Sequence, residues 1–80
     1  MVRWYFVMHL APDQRRPGAR YEVQLLDDDG RATAWEGYDE ETSLTVGGVE
    51  VPSAVLAAGR AQAEGLGDYV DERGVRTAPF

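Results

Sequence analysis

The chain has no cysteine, which excludes disulfides and thiolate metal centres as supports for the fold. Lysine, asparagine and isoleucine are also absent, and all eight basic residues are arginine. Codons for the three missing residues are A/T-rich, so the simplest source is a GC-rich genome, that of a high-GC bacterium or one of its phages. No apolar run approaches the roughly 20 residues that a membrane-spanning helix needs. Trp4 to Leu10 follows Arg3 and is too short for a signal sequence, contains His9, and lacks a small-residue cleavage site. We read it as a strand and expect a cytoplasmic protein without membrane contact. The chain reads as a complete small gene product.

What remains is a chain of 80 residues with 44% hydrophobic and 28% charged residues, ordinary for one small globular domain spanning residues 1–80. A domain of this size buries roughly 60% of the surface its unfolded chain exposes, which leaves a modest stability margin. The formal net charge is −6. Residues 1–20 carry Arg3, Arg15, Arg16 and Arg20 against Asp13, a net of +3, whereas residues 21–80 carry a net of −9. Such a balance opposes direct nucleic-acid binding, where phosphate contacts supply most of the affinity. It favours encounter with basic partners.

Hydrophobic periodicity points to an α+β domain: a small antiparallel sheet built from β-hairpins with one helix packed on it. Val2 to Leu10 is apolar on both faces at period two, which suits a central strand. Pro12 to Arg20 is a loop holding two prolines, a glycine and three arginines. Tyr21 to Leu25 alternates and should return antiparallel to the first strand. The following Asp28-Asp29-Gly30 then admits two registers. A two-residue Asp29-Gly30 turn opposes Val23 to Glu36 and Gln24 to Trp35. A three-residue loop with Gly30 left-handed opposes Val23 to Trp35 and Leu25 to Thr33, and keeps Tyr21, Val23, Leu25 and Trp35 on one face. Coherence of that face favours the second.

Leu44 to Val51 reads as a hairpin about Gly47-Gly48, pairing Val46 with Val49 and Leu44 with Val51. Pro52 suits the first turn of a helix over Ser53–Glu64, with Val55, Leu56, Gly59, Ala63 and Leu66 as its apolar stripe. Gly59 costs about 1 kcal/mol relative to alanine in a helix, which predicts a close approach of helix to sheet. Gly65 and Gly67 end the helix, and Glu72-Arg73-Gly74 is expected to join a last strand pair, residues 69–71 and 75–77. A helix placed between a third strand region and a final strand pair also fits a small OB-like barrel, the alternative architecture.

Chemistry has few candidates. With Gly30 at position 6 of a calcium loop, Asp27, Asp29 and Glu36 fall on liganding positions, but position 1 is Leu25 and the flanks read as strands. A weaker divalent site combining Asp27–Asp29 with Asp39–Glu41 is conceivable; a solvated turn is the simpler account, and no metal or cofactor is assigned. His9 is the only histidine and lies in the most apolar segment. Ser43 and Ser53 occupy no strand-turn-helix elbow, and no pair of carboxylates stands out as a hydrolytic pair. Gly65-Leu66-Gly67 closes a helix instead of opening one, so it offers no phosphate cradle. The expectation is therefore that the chain is not an enzyme.

Recognition features are richer. Residues 27–50 hold eight acids against Arg31, with Trp35 and Tyr38 interleaved. Asp27, Asp28, Asp29, Glu36, Asp39, Glu40 and Glu41 form an acidic surface suited to a basic protein, including one that normally holds nucleic acid. Trp35 or Tyr38 would supply the apolar anchor, Tyr38 alone if Trp35 joins the core. Arg15 and Arg16, with Arg20, could instead grip carboxylates or phosphates from a mobile loop. The leading expectation is a small acidic regulatory or inhibitor-type protein acting by binding another protein. The alternative is a structural or assembly subunit of a larger complex or virion, associating as a homo-oligomer or with other chains through Trp4, Tyr5 and Val7.

Overall fold

The computed structural model describes residues 3–63 and 67–72. Strand β1 (Trp4–His9) is followed by a short 3-10 turn at Pro12–Gln14 and by β2 (Tyr21–Leu26) and β3 (Ala32–Tyr38). Then come β4 (Leu44–Val46), β5 (Val49–Val51), the helix α1 (Ser53–Gln62) and β6 (Asp68–Asp71). Four strands form one antiparallel sheet in the order β3-β2-β1-β6, and β4 and β5 form a separate two-stranded ribbon. The domain is α+β, as the periodicity implies. The described strands do not form an OB-like barrel, because β3 and β6 stand at opposite edges of the sheet they make and the ribbon is not hydrogen-bonded into it. The doubly apolar first strand lies inside the sheet, between β2 and β6.

One face of the sheet carries the core. Tyr5 lies between Leu25 and Val70, Val7 between Val23 and Asp68, and His9 opposite Tyr21. Tyr5, Val7, Val23 and Val70 are fully buried. Helix α1 covers this face through Val55, Leu56, Gly59 and Ala63, four of the five expected stripe positions; Leu66 lies outside the described residues. Gly59 permits the contact. A Cβ there would stand 2.6 and 2.7 Å from the Val7 methyls and 2.8 Å from the Tyr38 hydroxyl. Pro52 sits one residue earlier than expected, at the N-cap, where its carbonyl accepts from the Val55 and Leu56 amides. The helix stops at Gln62, two residues short of expectation; Gly65 and the loop and strand expected at 72–77 fall largely outside the described residues.

The ribbon covers the rest of the same face. Its register is Leu44 with Val51, Thr45 with Glu50 and Val46 with Val49, with Gly47 and Gly48 at φ 57° and 79°. Val46 and Val51 are buried while Thr45 and Glu50 face solvent. The turn rests on the sheet: a Cβ on Gly47 would meet the Ala34 Cβ at 2.7 Å. Helix and ribbon thus share one side of the sheet, and no described element lies across the middle of the other.

The β2–β3 connection combines the two registers considered above. Its tip is the three-residue loop: the Asp27 amide donates to the Arg31 carbonyl at 2.9 Å and the Gly30 amide to the Asp27 carbonyl at 3.0 Å, with Gly30 at φ 81°. Leu26 accordingly opposes Ala32. The register then shifts by one between Leu26 and Leu25, so that Leu25 opposes Ala34, Gln24 opposes Trp35 and Val23 opposes Glu36. An extra residue on β3 makes a β-bulge, and the Thr33 hydroxyl donates to the Leu25 carbonyl at 3.2 Å inside it. The expected pairing of Val23 with Trp35 and of Leu25 with Thr33 is therefore corrected. A one-residue slip turns a side chain to the other face, and Trp35 points away from the core. Glu36 is tolerated on the core side because β3 is an edge strand, from which the carboxylate reaches solvent.

Candidate functional site

The hairpin tip uses part of its acidity on itself. One Asp27 carboxylate oxygen accepts from the Asp29 and Arg31 amides, each at 2.9 Å, an Asx-type cap that shapes the turn. Asp27 is thus a structural residue, while Asp28 and Asp29 stay exposed. Among the described residues no three histidine, aspartate or glutamate side chains converge as a metal site would require.

The acidic link after β3 is similarly tied down. The Arg20 guanidinium donates from Nε to the Asp39 carboxylate at 2.7 Å and lies 3.8 Å from that of Glu40. The Asp39 amide donates to the Glu41 carboxylate, and Arg60 donates to the Glu41 carbonyl at 3.1 Å. Glu40 is the exposed acid of this group least engaged by the fold. Tyr38, expected as a surface anchor, is fully buried and donates to the Leu56 carbonyl at 3.0 Å. It cannot reach a partner. Burial pushes its phenol pKa far above the ordinary value, opposed by Arg60 and assisted by Tyr21 and Glu41. Tyr5 and Val7, the proposed assembly contacts of β1, are buried as well.

The arginine loop is folded back instead of reaching outward. The Leu10 amide donates to the Arg20 carbonyl, and the Ala19 amide to the Arg16 carbonyl across Pro17-Gly18, both at 2.9 Å. Arg15 donates from Nε to the Leu10 carbonyl at 3.0 Å, and its Nη2 lies 3.1 Å from the His9 ring at Nε2. His9 also packs on Tyr21, with ring centroids 5.1 Å apart. Arg15 is thereby a loop clamp. Arg16 reaches over β3, where a Cβ on Gly37 would stand 3.6 Å from its Nη2 and 2.8 Å from the Ala19 Cβ.

The remaining surface is the outer face of the sheet. Register places Tyr69, Phe6, Gln24 and Trp35 in one row across all four strands. Phe6 and Tyr69 pack with ring centroids 4.9 Å apart, and Trp35 is 60% exposed, the large hydrophobic residue most open to solvent among those described. Glu22 lies in the next row, between Met8 and Gly37; its carboxylate Oε1 accepts from the Gln24 side-chain Nε2 at 3.0 Å. Sequence reasoning placed Trp35 on the opposite face. The available signal was the polarity of Glu22 and Gln24, which marks the outer side of β2 and extends to whatever opposes them. Asp68 and Asp71 are buried acids of β6 that the sequence did not single out; both are engaged within the fold.

No protein-family model matches the chain, and no curated protein or solved structure matches it significantly. The functional reading rests on the residues alone.

Proposed function

We propose that the chain is a small acidic regulatory or inhibitor-type protein that works by binding another protein with a basic surface, and that it is not an enzyme. The observation that carries this reading is uncompensated charge. Asp28, Asp29 and Glu36 are exposed, and among the described residues no cation pairs with them. Carboxylates left unpaired at the β2–β3 tip and along β3, on a molecule with a net charge of −6, steer a positively charged partner and speed its encounter. The same surface could compete for a site that normally holds phosphates.

The test is binding to a defined basic probe, a labelled arginine-rich peptide, by fluorescence anisotropy from low to high sodium chloride. Affinity should fall steeply with salt, and Asp28→Asn with Asp29→Asn and Glu36→Gln should lower the on-rate more than they raise the off-rate. A complex indifferent to salt would refute the electrostatic reading. The alternative, an assembly subunit, is favoured by a different observation, an outer face whose centre no described element covers, with the exposed Trp35 on it. Light scattering separates the two, because an assembly subunit gives a salt-resistant oligomer where a monomeric binder does not.

A further inference from the structure

The geometry points to the outer sheet face, not the hairpin tip, as the contact surface, and to an arginine side chain of a basic protein segment as its occupant. The inference rests on the acidic-binder reading above and assigns that reading a place. Helix and ribbon both lie on the core side, so the row Tyr69–Phe6–Gln24–Trp35 crosses the sheet with no described element above its centre. At the usual strand spacing the four positions span roughly 15 Å, enough for one extended segment to lie along.

The row is aromatic except at Gln24, and the Glu22 carboxylate stands beside it in the next row. Glu22 is only partly exposed, yet its carboxylate has the Gln24 amide as partner and no ion pair among the described residues. Arg16 approaches from the loop as far as Gly37 without closing on it. A partly exposed carboxylate one row from Phe6 and Trp35 calls for a cation that can do two things at once. It must lie flat on a ring and donate to a carboxylate. A guanidinium does both, whereas a phosphate or a second acidic face would be repelled.

Charge separates this occupant from the alternatives. A second copy of this chain, itself of net −6, would meet overall repulsion, and a nucleic acid would bring phosphates to the same negative molecule. Trp35 makes the site readable, because its indole is exposed and lies in the same row as Gln24.

The experiment is an amide and indole NMR titration of the labelled full chain with a capped synthetic peptide of alternating arginine and glycine, at low salt. Shifts are expected at Phe6, Gln24, Trp35 and Tyr69. Glu22→Gln and Trp35→Ala should each weaken binding by about tenfold or more, while Asp28→Asn with Asp29→Asn should change it less. Both sites are on the surface, and an unchanged far-UV spectrum and melting temperature establish that each variant folds. Shifts confined to residues 27–31 and indifferent to Glu22→Gln would overturn the placement and leave the acidic-binder reading standing. An absence of binding to the peptide would sink both. Concentration-dependent shifts of Trp35 without peptide, with a doubled mass by light scattering, would assign the face to a second copy and overturn the inference. A single-stranded oligonucleotide shifting the same amides would overturn it too.

Discussion

Two buried tyrosines, in strands β1 and β3 on either side of β2, face opposite hydrogen-bonding circumstances. Tyr38 donates to the Leu56 carbonyl, so Tyr38→Phe should cost about 0.5–1.5 kcal/mol in urea unfolding, the usual worth of one hydrogen bond. The Tyr5 hydroxyl is buried with no hydrogen-bond partner in place among the described residues, although Arg3 lies near enough to favour the phenolate. Removing that hydroxyl removes a desolvation cost, so Tyr5→Phe should leave stability unchanged or raise it. Equal losses in the two variants would contradict the assignment. Burial raises the pKa of both phenols, Tyr38 more strongly. Below about pH 10, the ordinary tyrosine value, both are protonated whether the chain is folded or not, and they add no pH dependence. Above it the unfolded chain releases protons that the folded one keeps, so stability falls with rising pH, by at most about 1.4 kcal/mol per unit for each tyrosine. Unfolding curves collected from neutral to strongly alkaline pH should show that onset, with a shallower decline in Tyr38→Phe.

At the scale of elements, the ribbon separates backbone preference from packing. Gly48 has φ 79° and open space where a Cβ would go, whereas Gly47 has φ 57° and the Ala34 Cβ 2.7 Å away. Gly48→Ala should cost about 1–2 kcal/mol for the left-handed conformation alone, and Gly48→Asn should recover much of that. Gly47→Ala should cost more, because it also pushes the ribbon off β3; chemical denaturation of the three variants decides. The ribbon was legible in the sequence because a Gly-Gly turn and four alternating aliphatics are local signals, and the helix for the same reason, down to the close approach at Gly59. The β2–β3 register was not. Its tip is local and was read correctly, but the bulge depends on whether Glu36 must escape a buried face, and that is settled by β3 standing at the sheet edge. Tyr38 was misread on the same ground: its burial is created by α1, and its hydroxyl partner lies 18 residues further along the chain. The candidate site was therefore legible as a composition, acids with aromatics, but not as a surface. The fold withdrew Tyr38, engaged Asp27, Asp39 and Arg15, and turned Trp35 outward.

At the scale of the molecule, net charge and size set a test that no single residue can. The principal extents are 34 × 25 × 20 Å. At about 0.01 M salt the Debye length is roughly 30 Å, so acids across the whole domain repel one another; at 0.15 M it is about 8 Å and only neighbours do. A chain with net charge −6 and modest core should therefore melt at higher temperature as sodium chloride is raised over that range. The rise should be a few degrees, since 1 kcal/mol corresponds to roughly 4–8 °C for a domain of this length. Binding of a basic partner should weaken over the same range, because the field that destabilises the free molecule is the one that attracts the partner. The two responses must have opposite signs. A melting temperature that falls with salt would mean that attractive pairs such as Arg20 with Asp39 outweigh the repulsion, leaving no uncompensated field to steer a partner.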